Sequence, residues 1–60
     1  MKTSELLKIL KKNGCWFLRH GGNHDIWYSD KTQRQVKVPR HSGEMKTGTV
    51  HNILKEAGLR

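Results

Sequence analysis

Two apolar stripes at helical spacing bracket this chain, and any fold has to bury both. Toward the C-terminus, Val50, Ile53, Leu54 and Ala57 fall at offsets of zero, three, four and seven, which is one face of an amphipathic helix. Toward the N-terminus, Leu6, Ile9 and Leu10 repeat at spacings of three and four, and Leu7 widens the stripe. Between them the period drops to two: Val36 and Val38 alternate with Gln35 and Lys37, the mark of a strand with one buried face. A helix at each end and strands between leave few architectures open.

Punctuation places the elements. Thr3 or Ser4 is the expected cap of the first helix, and Glu5 complements its dipole. Lys11 and Lys12 suit its last turn, and Asn13-Gly14 its left-handed stop, giving a helix over about 4–12. Cys15-Trp16-Phe17-Leu18-Arg19 is short and aromatic, hence a strand. His20-Gly21-Gly22-Asn23 is the turn. A second strand runs over 25–29, with His24, Ile26 and Tyr28 on one face and Asp25, Trp27 and Ser29 on the other. A polar turn over 29–32 leads to a third strand over 35–38, which Pro39 ends or marks as an edge. After a loop over 40–44, Thr47 or Thr49 caps the second helix, and Gly58 closes it. The predicted class is α+β, one domain over 1–60: a small α-β-β-β-α fold with two helices on one face of a three-stranded antiparallel sheet. Its other face is left partly open.

Composition narrows the function. A chain of 60 residues buries only about 60% of its unfolded surface, leaving little room for a deep cofactor pocket. Twelve Lys and Arg against five Asp and Glu give a net charge of +7. So basic a body points to a polyanionic partner: nucleic acid first, an acidic protein second, a membrane surface third. The single Cys15 excludes an intramolecular disulfide, and with no leader-like segment the expected location is cytoplasmic. The apolar runs fall far short of the roughly 20 residues that span a bilayer.

Several residues carry possible chemistry. His24 follows a glycine pair at the rim of the sheet, where a polyanion can reach a titratable imidazole. Lys46-Thr47-Gly48-Thr49 opens the second helix, and free amides beside a lysine suit a phosphate; ordinary capping explains the threonines equally well. Of the aromatic pairs Trp16-Phe17 and Trp27-Tyr28, one member each is expected under the helices and the other outside. Cys15, His20, His24 and His41 give a weak zinc-like spacing. Alternation is expected to put Cys15 and His20 on opposite faces, and no Cys-x2-Cys anchor is present. No cofactor is called for.

In order and spacing, these segments resemble the HicA family of bacterial toxins, the RNA-cleaving halves of toxin–antitoxin pairs. Asn13-Gly14 precedes an aromatic strand. Gly22-Asn23-His24 looks like the family's Gly-Ser/Asn-His signature, with Gly21 where a serine or another small residue is often seen. Val38-Pro39-Arg40-His41-Ser42-Gly43-Glu44, Lys46-Thr47-Gly48-Thr49 and Ile53-Leu54-Lys55-Glu56-Ala57-Gly58-Leu59 look like its C-terminal half. The resemblance implies a double-stranded-RNA-binding-domain-like fold, cleavage of messenger RNA, a catalytic histidine at His24, and a HicB-type antitoxin that blocks the toxin. Asp25 departs from the pattern, since a second histidine is common there.

Such chemistry fits the residues. RNA supplies its own nucleophile, the 2′-hydroxyl. An imidazole can take its proton, and Lys and Arg donors can hold the phosphate. His24 is then the general base, with Lys37, Arg40, His41, Lys46 and Thr47 as RNA contacts. The acid that returns the proton is unassigned, with His41 and water as the options. The rival readings are a non-catalytic RNA-binding module and an adaptor for an acidic protein. The toxin is expected to be monomeric when free and hetero-oligomeric with its antitoxin.

Overall fold

Leu6 and Leu10 stand one turn apart on α1 (Thr3–Lys12), and both are fully buried. Each contributes about 1.5–3 kcal/mol by leaving water. They pack with Val50, Ile53 and Ala57 from α2 (Thr47–Glu56) and its C-terminal end, and with Cys15, Trp27, Val36 and Val38 from the sheet. The computed structural model describes residues 1–40 and 43–60. Its element order is α1, β1 (Cys15–His20), β2 (His24–Ser29), β3 (Arg34–Pro39), α2. The sheet is antiparallel in the order β1-β2-β3, with both helices on one face. This is the predicted α+β, double-stranded-RNA-binding-domain-like arrangement.

Neither helix is capped as expected. The N-caps are Lys2 and Lys46, and neither Thr3, Ser4, Thr47 nor Thr49 makes a side-chain cap bond. At α1 the backbone satisfies the amides instead. Residues 1–3 lie along residues 43–45: the Thr3 amide donates to the Gly43 carbonyl at 2.9 Å, and Met45 to Met1 at 2.9 Å. The strands also run longer than the expected 15–19 and 25–29. β1 includes His20 and β2 starts at His24, so the turn between them shrinks to 21–23. The β2–β3 turn falls at 30–33, one residue later than predicted, with Ser29 still in β2.

The pairing of β1 with β2 slips between Phe17 and Arg19. Trp16 faces Tyr28 and Phe17 faces Trp27, but Arg19 faces Ile26 and His20 faces Asp25. Leu18 is the extra residue of a β-bulge, and a bulge reverses which side every later residue takes. His20 therefore lies on the same face as Cys15, contrary to the expected alternation. The two still cannot share a zinc ion, because five residues of strand set them roughly 16 Å apart.

Trp27 goes under the helices as one of its pair was expected to, and Tyr28 meets Trp16 on the open face with ring centroids 5.1 Å apart. Neither Trp16 nor Phe17 is buried, at 44% and 43% exposed. Phe17 points to the helix side but lies beyond the helices' cover, with its ring edge-on to Trp27 at 6.2 Å.

Helix α2 ends in a closed arrangement. Gly58 takes a φ of +77°, its amide donates to the Lys55 carbonyl, and Leu59 donates to Leu54 at 2.8 Å. These paired bonds satisfy carbonyls that a helix end leaves free. The buried Ser29 hydroxyl donates to the Ala57 carbonyl at 2.6 Å, and Thr32 donates to Glu56 at 3.3 Å.

Candidate nucleic-acid interface

The β1–β2 tip brings His20, His24 and Asp25 together. The Gly21 amide donates to the His24 carbonyl at 2.7 Å. A Cβ on Gly21 would stand 2.8 Å from that carbonyl oxygen, so the turn closes only because this residue has no side chain. Gly22 has open space around it. His24 is thereby fixed as the first residue of β2, opposite Pro39 at the end of the edge strand β3. It is exposed, and among the described residues its ring has no hydrogen-bond partner. It lies on the open face with Ile26, Tyr28 and the exposed Lys37, which sits opposite Ile26.

Arg40 binds the tip from the other side of Pro39. Its amide donates to the Asn23 carbonyl at 3.4 Å, its guanidinium donates to the Gly22 carbonyl, and its Nε lies 3.9 Å from Asp25 Oδ1. Part of its donor fork is thus used within the protein, and the side chain stays 44% exposed. Arg40 and Lys46 share a groove of about 390 Å³, which Pro39, Glu44, Met45 and Thr49 also line. The Glu44 carboxylate there is ion-paired with the Met1 amino group at 2.8 Å. Thr47 is exposed as the first residue of α2 but does not line the groove. His41 lies outside the described residues.

One pair went unseen in the sequence. His20 Nδ1 lies 2.7 Å from Asp25 Oδ1. His20 and Asp25 face each other across the tip, and their spacing of five around the glycine turn was the available signal. The bulge at Leu18 hid it. Among the described residues, no three His, Cys, Asp or Glu side chains converge to hold a metal ion.

A family model described as the HicA toxin of bacterial toxin–antitoxin systems matches residues 3–59. The chain belongs to the HicA toxin family. No curated protein and no solved structure matches it. A HicA toxin is one half of a pair, so membership implies an antitoxin partner. Among the described residues of this HicA chain, no helix is long and apolar enough to cross a membrane.

Proposed function

We propose that this HicA chain is an endoribonuclease that cleaves messenger RNA without a metal cofactor, acting as one domain over 1–60. His24 is the general base. It takes the proton from a 2′-hydroxyl, the 2′ oxygen attacks the adjacent phosphorus, and the products carry a 2′,3′-cyclic phosphate and a 5′-hydroxyl. Arg40 and Lys46 in the groove, Lys37 on the open face, and His41 and Thr47 contact the RNA backbone. A HicB-type antitoxin blocks the site, in the cytoplasm; the free toxin is monomeric and the inhibited form hetero-oligomeric.

The observation that carries this reading is the placement of His24. Within a chain matched to the family over 3–59, the histidine of the Gly-x-His signature stands exposed at a hairpin tip, opposite Pro39, which lines the groove shared by Arg40 and Lys46. A general base at such a site contributes about 10²- to 10⁴-fold. His24→Ala should lower single-turnover RNA cleavage by that factor and leave the melting temperature unchanged. Cleavage at the wild-type rate would remove His24 from the mechanism. RNA binding with no cleavage by the wild type would favour a non-catalytic binding module.

A further inference from the structure

The open face of the sheet carries an aromatic pair that the core does not use. The register sets Trp16 of β1 opposite Tyr28 of β2, with ring centroids 5.1 Å apart and planes tilted by 41°. Both rings lie on the side away from the helices, while Trp27 and its neighbours build the core on the other. Trp16 is 44% exposed and Tyr28 half-buried, so their mutual contact leaves ring surface open to solvent. Charge on this face has one sign. Beyond the bulge, Arg19 takes the same side as Trp16, opposite Ile26, and Lys37 stands opposite Ile26 from β3. Arg19 donates to Gln35 Oε1 at 3.4 Å. Gln35 is the β3 partner of Tyr28, so the Arg19 side chain reaches over the middle strand toward the tyrosine. That bond leaves the rest of its donor fork unused among the described residues, and the Lys37 ammonium is unpaired there. The one acid of the three strands, Asp25, lies on the helix side with Val38.

We propose that this face binds single-stranded RNA, with the Trp16 ring, backed by Tyr28, as the surface on which a base stacks, and with Arg19 and Lys37 as phosphate contacts; this rests on the reading above that RNA is the ligand. Two properties select that ligand. Cations without acids favour a polyanion. Open aromatic rings among those cations suit unpaired bases, which stack on aromatic side chains while Lys and Arg hold the backbone. A duplex keeps its bases paired and stacked on one another, so it has no base to offer the ring. His24 lies on the same face, four residues along β2 from Tyr28, about 13 Å at the rise of a strand. A single strand following β2 meets the platform and His24 in one pass. The substrate class is therefore unpaired RNA rather than duplex.

The test measures binding rather than cleavage. The whole chain carrying His24→Ala, used so that the ligand stays intact, is titrated with a short fluorescently labelled single-stranded RNA and with an RNA duplex of the same length. At equal salt the single strand should bind about tenfold tighter or more. Trp16→Leu keeps an apolar side chain and removes the ring. It should weaken single-strand binding about tenfold and leave duplex binding unchanged, whereas Trp16→Phe, which keeps a ring, should stay within a few-fold. Phe17→Leu is the control, since Phe17 is as exposed as Trp16, at 43%, but lies on the helix side; it should bind like the parent. Arg19→Ala and Lys37→Ala should each lower the salt slope by about one phosphate contact. Unchanged binding by Trp16→Leu, an equal loss with Phe17→Leu, or a duplex bound as tightly as the single strand would overturn the proposal and leave the face to a protein partner. The endoribonuclease reading would then still stand if the wild type cleaves RNA and His24→Ala does not. Ring-dependent binding by a wild type that cleaves no RNA would uphold this surface and remove the nuclease.

Discussion

At the end of the sheet where β2 turns into β3, the helix ends and the strands lock together. The Ser29 and Thr32 hydroxyls hold the last carbonyls of α2, Gly58 fits against Thr32, and the Asp30 amide donates to the Gly14 carbonyl at 3.0 Å, just past α1. At the opposite end, where β1 turns into β2, no comparable burial occurs. Gly21 closes the turn, Arg40 clamps it, and two histidines stand in solvent. Stability is concentrated at the first end and titratable chemistry at the second. In a chain with so small a core, this separation leaves the tip free to carry polar groups that a packed end would have to bury. Substitutions at the two ends should therefore move different quantities.

The largest effect is expected in the covered region. Leu10→Ala should cost about 2–5 kcal/mol in denaturant unfolding, while single-turnover cleavage below the melting temperature stays within a few-fold of wild type. A large loss of cleavage in the folded variant would show that core and tip are coupled. Ser29→Ala comes next: it leaves the Ala57 carbonyl buried without its donor, at about 1–3 kcal/mol, and cleavage should again be unaffected. At the tip the pattern should invert. Gly21→Ala forces the turn open and should reduce cleavage at least tenfold, with a stability loss of about 1–2 kcal/mol. Gly22→Ala, with nothing within 4 Å and no left-handed backbone, should stay within about 0.5 kcal/mol and keep full activity. Equal behaviour of the two glycine variants would contradict the geometry of the turn. The smallest effect is at the groove, where Lys46→Ala should weaken RNA binding modestly and reduce the salt slope by about one phosphate contact. An unchanged slope would make the N-terminus of α2 a structural end only.

Much of this was legible in the chain. The stripes of Leu6, Leu10, Val50, Ile53 and Ala57 specify both helices, because helical periodicity survives without tertiary detail. The alternation of Val36 and Val38 does the same for β3. The turn chemistry of 20–23 placed His24 at the rim. The expected Thr3 or Ser4 cap of α1 misled because backbone pairing of residues 1–3 with 43–45 supplies what a side-chain cap would, and such pairing has no local signature. The bulge was invisible because Cys15-Trp16-Phe17-Leu18-Arg19 reads as unbroken strand, and one inserted residue changes the face of everything after it. With it went the His20–Asp25 pair. Ser29 was placed on the Trp27 face, but its partner Ala57 is 28 residues away, beyond what local pattern reveals.

The central claim is that this toxin cleaves RNA through the 2′-hydroxyl with His24 as base. The most direct measurement is the chemistry of the ends formed when purified protein and RNA are incubated with excess chelator. The account predicts 2′,3′-cyclic phosphate and 5′-hydroxyl termini, formed by the wild type and nearly absent with His24→Ala. Ends bearing a 3′-hydroxyl, or cleavage abolished by the chelator, would contradict it.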